Sequence, residues 1–226
     1  MRMRTLKKAG LALAAVLVFS SFGFAADRDR DKEQNKNKSK DKGEGRFDLS
    51  LGYAGVFSKT STASLGTSRL KPTTSGAVVA TFRYRFNHMH GIEVNLAHTN
   101  NSQIFSIPPD TFRINTGITE YSGAYVLSPF HGGRIDPFVF GGGGALRFNP
   151  SNQYIDGFQT SLGATSQRAL TVLYGGGADY RLWKGLALRV QYRGLIYKVP
   201  DFRQSRFFTG AVGHMAEPSA GLVIKF

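Results

Sequence analysis

Twelve ionisable side chains sit at alternate positions within apolar sequence, and they are the residues best placed to do chemistry. They are Asp48, Arg83, Arg85, Glu93, Glu120, Arg147, Asp179, Arg181, Arg189, Arg193, Glu217 and Lys225. Five are acidic and seven basic, a near balance that predicts mutual pairing rather than a catalytic group with a tuned proton affinity. Other constellations fall short of a site. Gly141–Gly144 and Gly175–Gly177 lack the Lys-Ser/Thr and the helix that a phosphate loop requires. His88-Met89-His90 offers two imidazoles with no third ligand nearby. His98 and His214, with Asn100, Asn101, Ser102 and Asp110, supply hydrolase residue types, but no nucleophile-elbow pattern marks a serine. The chain has no Cys, which excludes a thiolate metal site, a thiol nucleophile and a disulfide scaffold. No catalytic, cofactor-binding or metal-ligating residue is expected.

The elements that carry these charges alternate with period two, and no segment sustains a helical rhythm. Phe47-Leu49-Leu51-Tyr53, Val78 to Phe86, Ile92-Val94-Leu96 and Tyr121 to Leu127 each hold one apolar parity. So do Phe138 to Phe148, Val172 to Leu182, Leu186 to Tyr192, and Ala220 to Phe226. These are eight strands, each about as long as a tilted strand needs to cross a bilayer. The other parity holds the charges. A soluble barrel hides its apolar parity and a membrane barrel exposes it, so alternation alone leaves the two open.

Connection lengths separate them. Ser58–Ser75, Thr99–Thr111, Asn149–Arg168 and Pro200–Ala211 are long, Asn87–His90 and Trp183–Gly185 are short, and Ser128–Asp136 is intermediate. Long loops at one end and tight turns at the other fit a transmembrane barrel with both termini at the short-turn end. An arginine facing lipid at mid-depth costs about 2–4 kcal/mol, so Arg83 and Arg85 are expected to point inward. Asp179 should lie opposite Arg189 and Arg85 opposite Glu93. Asp48 should meet Lys225 where the sheet closes, and Glu120 and Glu217 should serve Arg193, Arg147 or Arg181.

The first 46 residues differ in kind. Arg2, Arg4, Lys7 and Lys8 precede an apolar stretch from Leu11 to Phe19, and Ala25-Ala26 ends the segment. This pattern predicts an export signal over residues 1–26, cleaved after Ala25 or Ala26. Residues 27–46 hold eight basic and six acidic groups and no Val, Ile, Leu, Phe, Tyr or Trp. They read as a charged disordered linker that cannot offset the entropy of ordering. The net charge of +14 is spread along the chain, which does not point to nucleic acid.

Residues 47–226 resemble the bacterial outer-membrane β-barrel family of the OmpA/OmpX type. The resemblance rests on TFRYRF, GIEVNLAH, SGAYVL, DPFVFGGGGALRF and ALRVQYRGLIYK, and on the ending SAGLVIKF, whose Ser219, Gly221, Ile224 and Phe226 look like a terminal assembly signal. Pro218 departs from a regular last strand and should sit at an outer or bulged position. The resemblance implies an all-β, eight-stranded antiparallel up-and-down barrel in the outer membrane, with both ends in the periplasm. It also implies recognition by the barrel-assembly machinery. A monomer is expected, with a structural or surface-interacting role; a narrow channel and a lipid-modifying enzyme are the alternatives. Lys59, Arg69, Lys71, Arg203 and Arg206 outnumber the acids near the outer rim and are candidate contacts for lipopolysaccharide phosphates.

Overall fold

The computed structural model describes residues 46–62, 69–130 and 133–226. The expected export segment and all of the linker but Arg46 lie outside them. Alternating β-branched and aromatic residues form strands here because such side chains suit a pleated surface that is apolar on one face. Eleven strands occur among the described residues: β1 (Phe47–Ser58), β2 (Ser61–Thr62), β3 (Arg69–Pro72), β4 (Ser75–Arg85), β5 (His90–Ile107), β6 (Asp110–Leu127), β7 (Ile135–Ile155), β8 (Phe158–Gln159), β9 (Gln167–Trp183), β10 (Leu186–Lys198) and β11 (Val212–Lys225).

Eight of these are the staves of a closed antiparallel barrel in the order β1-β4-β5-β6-β7-β9-β10-β11, with β11 returning to β1. Closure leaves the eight-stranded wall without an edge, the condition for strands in hydrocarbon. At the seam, Phe47 and Phe226 exchange two backbone hydrogen bonds of 2.9 Å. Gly52 faces Gly221 across it, and a Cβ on Gly221 would lie 2.5 Å from the Leu51 carbonyl oxygen. Only glycine permits that approach. Pro218 is exposed at a break in the β1–β11 ladder, between Ala54↔Ser219 and Phe57↔Ala216; proline has no N–H to give there. The Lys184-Gly185 turn holds Gly185 at φ +82, which glycine adopts without strain.

Outside and inside differ as a membrane barrel requires. Leu51, Val78, Val94, Tyr121, Val172, Val190 and Leu222 are each about half exposed on the outer wall. Asp48, Arg83, Glu93, Glu120, Asp179, Arg189, Arg193 and Glu217 are buried inside.

Three expectations need correction. β7 is turned over: Phe138, Phe140, Leu146 and Phe148 are buried inside, while Ile135, Val139 and Arg147 face out. Between Pro137 and Leu146 both parities of this strand are apolar or glycine, so its hydrophobic pattern does not fix a face. Arg147 is therefore not a lumen charge. Second, Thr99–Thr111 is no loop, because β5 and β6 stay paired up to Ile107↔Asp110. At 18, 18 and 21 residues, β5, β6 and β7 outrun the roughly 9–11 that a bilayer requires. They project beyond the wall at the end away from the termini, where β3 pairs with β5. Third, the β4–β5 turn is centred one residue earlier than expected, on His88, with the Phe86 N–H donating to the His90 carbonyl at 2.9 Å. Asn87 Oδ1 accepts the backbone N–H groups of Met89 and His90, each at 2.9 Å. The resulting register sets Arg83 opposite Glu93, and Arg85 opposite Gly91.

Candidate functional site

The interior is the candidate site, and it has three levels. Nearest the termini, seven strands bring a charge cluster together. Arg189 Nε and Nη2 donate to Asp179 Oδ1 and Oδ2 at 2.7 and 2.9 Å, the two-point geometry that a guanidinium offers a carboxylate. These residues are direct cross-strand partners. Arg83 donates to Glu93 Oε2 at 2.8 Å, and Arg85, freed from Glu93 by the turn, donates to Asp48 at 2.6 Å. Asp48 and Lys225 are backbone partners, but their side chains do not pair. The Asp48 carboxylate is taken by Arg85, with Arg189 at 3.7 Å, and Lys225 reaches Asp136 at 3.2 Å and Asp179 at 3.6 Å. Arg181 lies part-exposed at 3.9 Å from Asp136.

Two participants escape a reading of sequence alone. Asp136 shares its parity with Phe138 and Phe140, so the inversion of β7 brings it inside. Phe138 then lies beneath two cations, with Arg83 at 4.1 Å and Arg189 at 5.0 Å from its ring centroid. A ring face between desolvated guanidinium groups is stabilising, worth about 2 kcal/mol for a buried contact. An inward Phe138 is thus as much part of the charge cluster as its carboxylates.

One level up, Arg193 Nη2 donates to Glu120 at 2.5 Å, and Nη1 lies 3.6 Å from Glu217. Glu120 also accepts from the Ser122 hydroxyl at 2.5 Å. Thr81, Asn95 and Glu93 form a hydrogen-bonded column that rises from the lower cluster, at 2.7 and 3.1 Å. Neither Arg147 nor Arg181 reaches Glu120 or Glu217 among the contacts of the described residues.

The far end is mainly apolar, with a buried Gln103–Asn101 hydrogen bond of 2.9 Å beside Phe105. Val56, Ile118, Leu146, Leu173, Leu195 and Met215 meet inside it, and the β10–β11 connection folds over them. Phe202 and Phe207 of that connection are fully buried, with Phe207 at 4.7 Å from Phe105 and 5.4 Å from Phe112 between ring centroids. Phe202 and Arg203 both take positive φ, 51 and 60, a region costly for residues with a Cβ. Gln167 Oε1 holds that conformation by accepting the N–H groups of Asp201 and Phe202 at 3.0 and 2.8 Å. Arg206 Nη2 donates to the Leu162 carbonyl at 2.8 Å and its guanidinium lies 5.3 Å from the Phe207 ring. It clamps the plug.

The other singled-out residues are dispersed. Lys59, Arg69, Lys71 and Arg203 are exposed at the far end, the first three near the β1–β4 connection and the last on the plug. Ile224 and Phe226 face outward beside the seam, where Phe226 stacks on Phe47 at 6.1 Å, while Ser219 and Gly221 are half-buried. His98 bonds Thr119 at 3.0 Å and His214 bonds Tyr174 at 2.8 Å, on separate hairpins. Each imidazole thus faces one hydroxyl, and no carboxylate bonds to either among the described residues. No cluster of three or more potential metal ligands occurs among the described residues.

Comparisons place this arrangement. No curated protein matches the chain by sequence. Neisserial surface protein A (NspA) is similar in structure, at 15% identity and a TM-score of 0.51, over 82% of this chain and 100% of its own. Ail, the attachment invasion locus protein of Yersinia pestis, is 14% identical with a TM-score of 0.50, over 81% and 99%. The outer membrane protein OprG of Pseudomonas aeruginosa is 15% identical with a TM-score of 0.50, over 81% and 96%. At such identities the likeness is one of fold. The family model described as outer membrane protein beta-barrel domain matches residues 11–213, and with the closed eight-stranded wall and its inverted polarity this chain belongs to that family of the outer membrane.

Proposed function

We propose that this protein is a closed, non-conducting barrel whose role is structural and surface-presenting. The observation that carries the reading is the doubly filled interior, with paired charges toward the termini and a phenylalanine plug at the far end. An eight-stranded barrel leaves an interior just wide enough for side chains, and here they occupy it at every level described above. The termini lie in the periplasm and the β5–β6–β7 extension stands outside the cell, because that end carries the long strands and loops. Exposed Ile224 and Phe226 leave the outer face of the last strand readable by the assembly machinery. At the rim, Lys59, Arg69 and Lys71 contact lipopolysaccharide phosphates, whereas Arg206 is committed to the plug. That the fold neighbour Ail is an attachment protein accords with a surface role but does not assign one.

Planar-bilayer conductance of the refolded protein tests the reading. A trace without steps in concentrated potassium chloride is expected, and ohmic steps of uniform size would overturn it in favour of a narrow channel. For the rim, salt-sensitive binding of lipopolysaccharide should weaken when Lys59, Arg69 and Lys71 are neutralised together.

A further inference from the structure

Turning β7 over places on the outer wall a feature that no interior role absorbs. Arg147 on β7 and Arg168 on β9 are direct cross-strand partners, both exposed. Neither has a salt bridge or side-chain hydrogen bond among the described residues. Like charges directly opposite on a sheet are destabilising, so the pair is an arrangement that an anion would relieve. Arg203 lines the same open recess of about 580 Å³ with Ser166 and Gln167. The nearby Asp201 carboxylate accepts the backbone N–H of Arg203 at 2.9 Å, leaving three cations against one acid.

Below the pair the wall is grooved. The outward column of β7 runs Arg147, Ala145, Gly143, Gly141. Tyr121 and Tyr125 of β6 stand beside Ala145 and Gly141, and Leu170 and Val172 of β9 beside Ala145 and Gly143. All four flanking side chains are well exposed, so a floor of two glycines and one methyl group lies between raised apolar walls. A second recess, lined by Tyr121, Ala145, Arg147 and Arg168, joins this groove to the cationic one through the shared arginines.

Depth agrees with the chemistry. From Ile135 to Ala145 the outward column contains no charge. Ten residues at about 3.4 Å each, tilted about 45°, span roughly 24 Å, close to the apolar band of about 25 Å in such barrels. Arg147 and Arg168 therefore stand at the edge of hydrocarbon, where headgroup phosphates lie.

We propose that the outer face of β6, β7 and β9 holds a phosphorylated acyl glycolipid of the outer leaflet, with a phosphate on Arg147 and Arg168 and an acyl chain in the glycine-floored groove. The site rests on the orientation given above, but uses residues separate from the rim lysines.

The test is lipid retention, read by native mass spectrometry of the full-length barrel extracted from phosphatidylcholine vesicles containing bisphosphorylated lipid A. The wild type should keep lipid A in preference to phosphatidylcholine. Arg147→Gln with Arg168→Gln should reduce retention about tenfold or more, the effect of removing two cations from a membrane surface. Gly141→Leu should also reduce it with both charges intact, because an added Cβ there meets no protein atom within 4 Å and the side chain fills only the groove. Millimolar inorganic phosphate should not compete. Unchanged retention in the double glutamine variant overturns the site. Loss in that variant with no effect of Gly141→Leu, or competition by phosphate, overturns the lipid assignment in favour of a bare anion site. Equal retention of phosphatidylglycerol overturns the glycolipid. A Lys59→Gln, Arg69→Gln, Lys71→Gln variant that loses lipid A instead would place binding at the rim.

Discussion

Toward the termini the barrel is filled by groups that cost free energy to bury unless each finds its partner; at the far end it is filled mainly by groups that gain free energy from burial alone. Asp48, Arg85, Asp179, Arg189, Asp136 and Lys225 form one cluster in which each carboxylate faces more than one cation. Val56, Leu146, Leu173, Phe202 and Phe207 need no such matching. The difference is one of tolerance. A charge cluster specifies one register, because a slip strands buried ions, whereas an apolar plug accepts repacking at modest cost. The end that must be closed by strands from both termini of the sheet thus has the fill that enforces register, and the end that carries the long connections has the forgiving one.

Substitutions can break or sharpen this contrast. Asp179→Ala strands Arg189 and removes a partner of Arg85 and Lys225, and should cost about 3–5 kcal/mol, read by urea unfolding in vesicles. Phe207→Ala, at the other end, should cost about 3 kcal/mol through its cavity, but Phe207→Leu should restore most of that, a rescue that no isosteric change of Asp179 should match. Removing both members of a pair is the sharper test. Arg83→Met with Glu93→Leu should cost less than Arg83→Met alone, since neither charge is left unpaired; a double variant as damaged as the sum of the singles would deny the pairing. Lys59→Ala should move stability by no more than about 0.5 kcal/mol. Equal unfolding midpoints for Asp179→Ala and Lys59→Ala would erase the distinction between cluster and surface.

What could be read from the sequence follows the same division. Strands with polar residues on one parity, such as Phe47–Tyr53 against Asp48 and Ser50, disclose their inner face because a membrane leaves no other place for the charge. β7 does not, because its two diagnostic charges disagree: Asp136 and Arg147 are of opposite parity. Arg147 can face outward without the cost that turns Arg83 and Arg85 inward, because it stands at the edge of the apolar band. The plug was hidden for a different reason. Phe202 and Phe207 stand in a connection without period, and what buries them is contact with Phe105 and Phe112, nearly a hundred residues away. Likewise the β4–β5 register turns on one side chain, Asn87, whose two hydrogen bonds centre the turn on His88 and set Glu93 against Arg83 rather than Arg85.

Polarity inversion underlies all of this, and spin-label accessibility measures it most directly. The chain has no cysteine, so single cysteines at Leu51, Val94 and Val190 give unambiguous labels in the barrel reconstituted in lipid. The account predicts high accessibility to oxygen dissolved in the bilayer and low accessibility to a water-soluble nickel complex at all three positions. Collision with nickel at these sites, and protection from oxygen, would contradict it.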